Sequence, residues 1–551
     1  MKFLAYPALA LGVACSSPAP IAPDAGPKDW TAMDVPASTV PEPGVRREVF
    51  TVPGTTPPPN PSTSASTPTE LNASQVARYR QDVTPPAPAR AILVAYPGFL
   101  GGAGSWDQLA RQLVKDAATR GEVIEVWAID RRSNLLEDLR GANTAEAAGN
   151  PEIANGWYFG DETLGGQAFP GFVSQDDASY MSEWGLATHV EDLHAVIAKV
   201  AATDRKARVF LLGHSLGGFF AETYAAWRFA DGSRGADELA GLVLIDGVLS
   251  PTPITETEYH EGTSGGLFSQ PGVDTIRASG PRYFEIPLFG VGIFARVEIL
   301  SLRALVSPDA VIDDPGRDDA LRIQLSMGAN KLPPMTNAAA LGWGLDDDSD
   351  ALVITAPSLG EPAGGPTALY DNTIAGKQLS HPASSTATYT WIDATPTDPD
   401  DRTHLADLAH AFSDGRTNFA EWYFPNRLAL DLGAVGGAAV PADGWQAAAG
   451  LRAFDGALDD APILCIPAQL QSADDCALVQ ARVAQTVGPD RPKTGATRAE
   501  GMGFTTFVAT GYTHLDPLTA MARPDNLVPA TILDFAIANS PTGTTAVPPA
   551  L

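Results

Sequence analysis

Residues 209–230 read VFLLGHSLGGFFAETYAAWRFA, and this stretch decides the fold. Its first four residues have the length and composition of a buried strand. A glycine-rich turn, GHSLGG at 213–218, follows, and a helix-like segment begins at Phe219. A serine at such a strand–turn–helix junction needs small neighbours two residues before and after it, because strand and helix approach closely there. The turn exposes the hydroxyl at the top of a sheet, so the segment predicts a nucleophile at Ser215.

Similar short apolar runs occur before and after this segment. Runs of this length, buried on both faces and separated by helical stretches, indicate a parallel sheet. The helical stretches include residues 106–118 and 187–202. This alternation predicts an α/β fold with a doubly wound, mostly parallel sheet, in which ligands bind at the carboxyl ends of the strands. The other predicted strands are residues 91–95, 123–129, 242–245, 463–466 and 505–509.

The GHSLGG turn in this context resembles the α/β-hydrolase superfamily, in its esterase and lipase branch. The resemblance covers residues 89–250 and about 455–540. It implies a core built from residues 89–250 and 455–551, with a cap or lid insertion at 251–454. It also implies a Ser-His-Asp triad in which Ser215 is the nucleophile and the backbone N–H of Leu216 helps to bind the oxyanion.

The resemblance also implies where the base and the acid should lie. In this superfamily the base is a histidine after the last strand, and His514 is the only one of the eight histidines found there. We expect it to take the proton of Ser215. The acid has two candidate places: Asp246, directly after the strand at 242–245, and Asp474 or Asp475, after the next core strand. We favour Asp246 and keep Asp475 as the alternative acid.

The second oxyanion donor is expected in the loop YPGFLGG at 96–102. Many members of the superfamily have His-Gly where this chain has Pro-Gly, but the donor is a backbone amide. The N–H of Phe99 is the expected donor, and that of Leu100 is the next choice. Another strand ends nearby in Asp-Arg-Arg at 130–132, where we expect a buried ion pair that fixes the loop rather than a site for an anionic substrate.

The insertion is much longer than the dozen or so residues that a crossover needs. It therefore predicts a cap or second domain over the strand ends. Within it, residues 288–306 predict a helix whose apolar face is interrupted by Arg296, Glu298 and Arg303. A packed cap helix is the expectation, and an interfacial lid is the alternative. The spacing of acidic residues and histidines indicates no required metal, and we expect no cofactor.

The first fifteen residues, MKFLAYPALALGVAC, have the order of a secretory signal. They resemble a bacterial lipoprotein signal, in which Cys15 would be lipidated and would tether an exported protein to the cell envelope. Residues 16–88 are rich in proline and predict a disordered linker, although residues 49–52 could form an edge strand. With Cys15 assigned to lipid, Cys465 and Cys476 are expected to form a disulfide.

The chain has 551 residues, of which 65 are acidic and 36 are basic, for a formal charge of −29. Such an acidic chain is a poor partner for nucleic acid. The sequence predicts an exported or lipid-tethered serine hydrolase that cleaves a small-molecule or lipid ester. An acyltransferase with the same triad and a non-catalytic surface binding lipoprotein on the same fold are the alternatives. The sequence does not indicate an oligomeric state.

Overall fold

The structure is a computed structural model that describes residues 43–542 with some gaps. The predicted signal segment and Cys15 lie outside the described residues. The positions left out between 43 and 542 are 85, 249–251, 264–268, 287–289, 313–331, 351–354, 373–375, 416, 437–439, 441–442, 453–460 and 488–502.

One eight-stranded sheet forms the centre of the molecule. Its strands are β1 (Val45–Pro53), β2 (Ala73–Gln81), β3 (Ala91–Tyr96), β4 (Ile124–Asp130), β5 (Val209–His214), β6 (Gly241–Ile245), β7 (Ile463–Ile466) and β8 (Phe504–Thr506). Their order is β1-β2-β4-β3-β5-β6-β7-β8. β2 is antiparallel to β1 and β4, and all the other neighbours are parallel. This sheet confirms the predicted α/β fold with a mostly parallel central sheet.

Helices cover both faces of the sheet, so the central strands are buried along their whole length. Leu93 of β3 packs in a cluster with the helices Asp107–Thr119 and Val528–Asn539 on one face. Its neighbour Val94 points to the opposite face, which is covered by Leu186–Ile197 and Leu216–Ala226. This burial explains why β3 to β7 read as continuous apolar runs rather than alternating ones.

Residues 45–81 correct the prediction of a disordered linker. β1 pairs with β2 from Val45 opposite Gln81 to Pro53 opposite Ala73, and β2 pairs in turn with β4. Arg78 of β2 forms two hydrogen bonds, at 2.8 and 2.6 Å, with the buried carboxylate of Glu125 in β4. The linker prediction over 16–88 is therefore wrong for residues 45–81, where β1 includes the edge strand considered at 49–52 and the two strands pair with each other and with β4.

The long insertion lies between β6 and β7. Its predicted helix at 288–306 begins at Gly292 and ends at Val306, and it packs against the helices Leu405–Ser413 and Asn337–Leu345. Glu298 lies on its buried side. The structure thus shows a packed cap helix rather than an exposed interfacial one.

Further elements complete the described chain. The other α-helices are Arg140–Ala148, Glu152–Phe159, Ala202–Arg208, Glu256–Glu261, Val273–Ala278, Asn426–Val435, Trp445–Ala448, Ala473–Val487 and Asp516–Thr519. Four two-stranded ribbons pair Thr163–Leu164 with Gln167–Ala168, Val311–Ile312 with Met335–Thr336, Gly360–Ala363 with Thr390–Asp393, and Thr367–Asn372 with Lys377–Pro382. In the part of the chain that the structure describes, no helix is long and apolar enough to cross a membrane.

Candidate active site

Ser215 lies on the turn between β5 and the helix Leu216–Ala226, with φ 54° and ψ −126°. Residues other than glycine rarely adopt this conformation, and strain of this kind is concentrated at functional sites. The turn is crowded: a Cβ atom at Gly213 would collide with the carbonyl oxygen of Gly217, and one at Gly217 would collide with that of Tyr96. The two glycines therefore allow the serine to sit at the carboxyl end of the sheet.

Asp246 directly follows β6, and its carboxylate is buried against the loop after β7. Oδ1 accepts hydrogen bonds from the amides of Ala468 at 2.8 Å and Gln471 at 2.9 Å. Oδ2 accepts one from the amide of Leu470 at 2.9 Å. Burial alone would raise the pKa of Asp246, but the hydrogen bond and charge of His514, together with these amides, lower it. The site thus stabilises the ionised carboxylate.

His514 faces this carboxylate, with Nδ1 2.6 Å from Oδ2 of Asp246. Its backbone N–H donates to Oε1 of Gln469 at 2.9 Å. Nε2 of His214 donates to the carbonyl oxygen of His514 at 2.8 Å, and the two rings lie 4.5 Å apart. Burial and the nearby charge of His514 lower the pKa of His214 to about 3. His214 is therefore neutral, and its hydrogen bond holds the backbone of His514. The contact with Asp246 orients the His514 imidazole, and the other two hydrogen bonds hold its backbone.

The alternative acid lies elsewhere. Asp475 is in the first turn of the helix Ala473–Val487, where its Oδ2 accepts hydrogen bonds from the backbone N–H and the hydroxyl of Ser472, both at 2.8 Å. Ser472 accepts in return from the Asp475 amide at 3.4 Å, which is the reciprocal pattern of a helix-capping box. Of the two candidate acids, Asp246 is therefore the one that the structure brings to His514.

Asp516 is a buried residue of the site to which the sequence pattern assigned no role. Its Oδ2 accepts from the amide of Thr513 and from the hydroxyl of Ser358, both at 2.8 Å. Its Oδ1 accepts from the amide of Ser358 at 3.0 Å and from the hydroxyl of Thr403 at 3.1 Å. Asp516 therefore joins the histidine loop to the insertion. The sequence signal was its place two residues after His514.

The loop after β3 lies beside Ser215, where the oxyanion donor was expected. A Cβ atom at Gly98 would lie 3.0 Å from Cβ of Ser215, so this peptide approaches the serine closely. Leu100 has φ 57°, a left-handed conformation. The ring of Phe99 packs against Phe284 at 4.9 Å and Phe424 at 4.7 Å between centroids, both from the insertion. Phe99 thus connects the loop beside Ser215 to aromatic side chains of the insertion.

The charged triplet at the end of β4 is buried, and its two arginines form ion pairs. Nη1 of Arg131 lies 3.3 Å from Oε2 of Glu421. Arg132 binds both carboxylate oxygens of Asp192, at 2.7 and 2.6 Å. Asp130 accepts from the amide of Ala103 at 2.5 Å, and burial raises its pKa to about 7. Since both guanidinium groups are fully buried, they are not available to bind a substrate anion.

Cys465 of β7 and Cys476 of the following helix are joined by a disulfide, with Cα atoms 6.0 Å apart. The bond spans the loop whose amides bind Asp246. Among the described residues, no group of three or more histidine, cysteine, aspartate or glutamate side chains is arranged to hold a metal ion.

No known protein family and no curated protein matches the sequence. Solved structures with a similar arrangement include a protein from Sulfolobus solfataricus with a provisional lipase assignment, at 12% identity and a TM-score of 0.43, covering 91% of this chain and 95% of that one. The peroxisomal α/β-hydrolase Lpx1 from Saccharomyces cerevisiae has 11% identity and a TM-score of 0.38, covering 93% and 94%. An α/β-hydrolase fold protein from Nakamurella multipartita has 12% identity and a TM-score of 0.32, covering 90% and 100%. Similarity at this level carries no argument about activity.

Proposed function

We propose that this protein is a serine hydrolase that cleaves carboxylic esters. Ser215 is the nucleophile, His514 is the general base and Asp246 is the acid of the triad. The observation that carries the proposal is the buried pair formed by His514 Nδ1 and the Asp246 carboxylate at 2.6 Å. That pair lies at the same edge of the sheet as a serine on a strained turn.

The geometry supports a definite distribution of protons. The hydrogen bond to Asp246 places the proton of His514 on Nδ1, which leaves the lone pair of Nε2 to accept the proton of the Ser215 hydroxyl. Ser215 Oγ then attacks the ester carbonyl. The resulting oxyanion is stabilised by the backbone N–H groups of Leu216 and Phe99. His514 returns the proton to the leaving alcohol, and a water molecule activated by the same histidine releases the acid from the acyl-enzyme.

Apolar surface beside the nucleophile supports an ester with an apolar acyl or alcohol part. Phe99 and Leu216 carry the proposed oxyanion donors, and both side chains are partly exposed. Phe284 extends this surface from the insertion. A small-molecule or lipid ester fits such surroundings better than a charged substrate does, because a charged group would lose hydration against these side chains without gaining a partner.

The disulfide supports the further proposal that the protein is exported, since disulfides persist mainly in oxidising compartments. Lipidation of Cys15 would then hold it at the cell envelope. Replacing Cys15→Ala should move the protein from the membrane fraction to the soluble fraction of cells that express the full-length chain. An unchanged distribution between the two fractions would count against the lipid anchor.

Hydrolysis of p-nitrophenyl esters from C2 to C16 by the full-length protein tests the proposed activity. Ser215→Ala and His514→Ala should abolish turnover, and Asp246→Asn should lower kcat by about 10⁴-fold, since the wrong tautomer of the histidine is then favoured. Asp475→Asn is the matched control and should keep its kcat, because Asp475 only caps a helix. An organophosphonate should label wild type and not Ser215→Ala.

Other outcomes would select the alternatives. Folded wild type that hydrolyses no ester and resists the phosphonate would contradict the catalytic proposal and favour a binding protein. Transfer of the acyl group to an added alcohol in preference to water would favour an acyltransferase. Loss of activity in Asp475→Asn with activity retained in Asp246→Asn would overturn the assignment of the acid.

A further inference from the structure

The loop at 96–102, which carries the proposed oxyanion donor and is called the oxyanion loop below, is bound by one buried side chain. Arg131, the first residue after β4, donates from Nη2 to the carbonyl oxygen of Pro97 at 3.1 Å and to that of Gly98. Its Nη1 donates to the carbonyl oxygen of Gly101 at 3.4 Å. Three carbonyl groups of a single turn therefore point towards one guanidinium group, at the place where the turn passes Ser215.

One of these carbonyls belongs to the peptide that carries the proposed oxyanion donor. The C=O of Gly98 and the N–H of Phe99 are parts of the same planar peptide unit, and in a trans peptide they point in opposite directions. A Gly98 carbonyl that is bound to Arg131 therefore turns the N–H of Phe99 away from the arginine. Because Gly98 itself lies against Ser215, this orientation is fixed next to the nucleophile.

We propose, on the basis of the function proposed above, that Arg131 is a positioning residue that orients the Phe99 N–H for oxyanion binding. Its charge also acts through the peptide. A hydrogen bond from a cation to a carbonyl polarises the peptide unit, so the N–H of the same unit becomes a stronger donor in a buried site. Arg131 itself is fully buried and cannot touch the substrate.

The surroundings of Arg131 hold its guanidinium in this one position. It lies between the rings of Tyr96 and Phe424, 5.2 and 5.3 Å from their centroids. Its charge is balanced by Glu421, whose carboxylate also accepts from the hydroxyl of Ser133. The backbone N–H of Glu421 donates to the carbonyl oxygen of Leu100 at 2.8 Å. The insertion thus contributes to the same support of the loop.

Arg132 provides a matched control. It is the adjacent residue and is equally buried and charged, but its guanidinium binds Asp192 and the carbonyl of Thr55 rather than the oxyanion loop. Arg131→Met and Arg132→Met should both destabilise the protein. Comparing the two variants therefore separates a general loss of stability from a specific effect on the oxyanion.

The test compares kcat and KM for a p-nitrophenyl ester with the inhibition constant of a trifluoromethyl ketone, whose adduct with Ser215 carries an oxyanion. Each rate is divided by the concentration of active sites, which is measured by titration with the phosphonate. Arg131→Met should lower kcat by about 10²-fold, as loss of one oxyanion donor does, with little change in KM and a parallel weakening of the ketone. Arg132→Met should keep both constants close to wild type. Arg131→Lys retains the charge but not the planar guanidinium group, so it should recover part of the kcat that is lost in Arg131→Met.

Equal kcat in Arg131→Met and Arg132→Met, or unchanged ketone inhibition in Arg131→Met, would overturn the inference. If Arg131→Met does not fold, the same comparison is made between Arg131→Lys and Arg132→Lys. Activity of wild type that is lost in Ser215→Ala establishes the hydrolase separately, so failure of the role of Arg131 is distinguishable from failure of the proposed function. A wild type without activity or ketone binding would overturn both.

Discussion

Three residues other than glycine with a positive φ meet at the carboxyl edge of the sheet. Leu100, Ser215 and Asp246 have φ values of 57°, 54° and 44°, and they follow the neighbouring strands β3, β5 and β6. Each such conformation costs of order 1–3 kcal/mol and persists only where the surrounding structure enforces it. Here the enforcing contacts are those of the proposed oxyanion loop, nucleophile and acid, so the strain and the proposed chemistry coincide.

Glu298 is a residue whose burial has a consequence for stability. It lies in the helix Gly292–Val306, where Nδ2 of Asn418 donates to its Oε2 at 3.2 Å. Burial raises the pKa of Glu298 to about 8, despite the opposing hydrogen bond from Asn418. Between the ordinary pKa of a glutamate and pH 8, the folded state holds a proton that the unfolded state has released. The contribution of this group to stability therefore falls as the pH rises through that range.

We predict that Glu298→Gln will unfold at a higher temperature than wild type at pH 9 and at a similar temperature at pH 5. At pH 9 the folded wild type must either bury the charge of Glu298 or keep it protonated, and either costs roughly 2–4 kcal/mol of folding stability. A glutamine is neutral and avoids this cost. Thermal unfolding followed by circular dichroism at both pH values measures the difference. The exposed Glu361→Gln serves as a control and should behave as wild type. A Glu298→Gln variant that is less stable at both pH values would contradict the prediction.

At the scale of elements, the loop between β7 and the helix Ala473–Val487 supports both the acid and the base. Its amides at Ala468, Leu470 and Gln471 bind Asp246, and Oε1 of Gln469 accepts the backbone N–H of His514. The disulfide closes this loop, because Cys465 lies before it and Cys476 lies after it. The loop is thus fixed at both ends while it positions Asp246 and His514.

We predict that the double variant Cys465→Ala/Cys476→Ala will lose about 2–3 kcal/mol of stability, as expected for a short disulfide loop. A looser loop would bind the Asp246 carboxylate less well, so the pKa of the triad acid should rise. The acid limb of the kcat/KM profile for ester hydrolysis, which reports protonation of the Asp246–His514 pair, should then move to higher pH. Measuring this profile with and without the disulfide is the test.

A reducing agent supplies the control for this experiment. It should shift the profile of wild type in the same direction and leave that of the double variant unchanged. An identical pH profile in the oxidised, reduced and double-variant proteins would show that the loop holds Asp246 without help from the disulfide.

At the scale of the whole molecule, the central sheet includes two strands that precede the first predicted strand at 91–95. β2 lies between β1 and β4 and contributes Val76, Ala77 and Tyr79 to the core. Its Arg78 neutralises Glu125, whose side chain is also buried. Removing one partner of a buried ion pair leaves an uncompensated charge and is strongly destabilising. The segment that precedes residue 89 is therefore part of the folded unit.

We predict that deleting residues 1–42 will leave the unfolding temperature and esterase activity close to those of the full-length chain, whereas deleting residues 1–88 will prevent folding. The second deletion removes β1 and β2, exposes the edge of β4 and leaves Glu125 without its arginine. Near-ultraviolet circular dichroism and thermal unfolding distinguish the two proteins. A cooperative, active protein that lacks residues 1–88 would contradict this account.

Several features of the protein could be predicted from the sequence because their causes are local. Strands buried on both faces read as continuous apolar runs, so β3 to β7 were visible without any knowledge of their neighbours. The turn at Ser215 was visible because a serine flanked by glycines, between a strand-like run and a helix-like run, is a local sequence pattern, although two of those glycines are crowded by residues distant in the chain. β8 was displaced, since the strand is Phe504–Thr506 rather than 505–509, and the helix predicted over 187–202 ends at Ile197.

Other features depend on residues that are distant in the chain, and only the tertiary structure decided them. The sequence left Asp246 and Asp475 as alternatives, because each follows a strand whose end lies at the same edge of the sheet. The loop after β7 and the position of His514 select Asp246. β2 escaped prediction, and β1 was anticipated only as an edge strand at 49–52, because these polar and proline-rich segments become strands through pairing with each other and with β4. Local sequence thus determined where the buried strands β3 to β7 and the turn at Ser215 lie, whereas contacts across hundreds of residues determined which charged groups lie together.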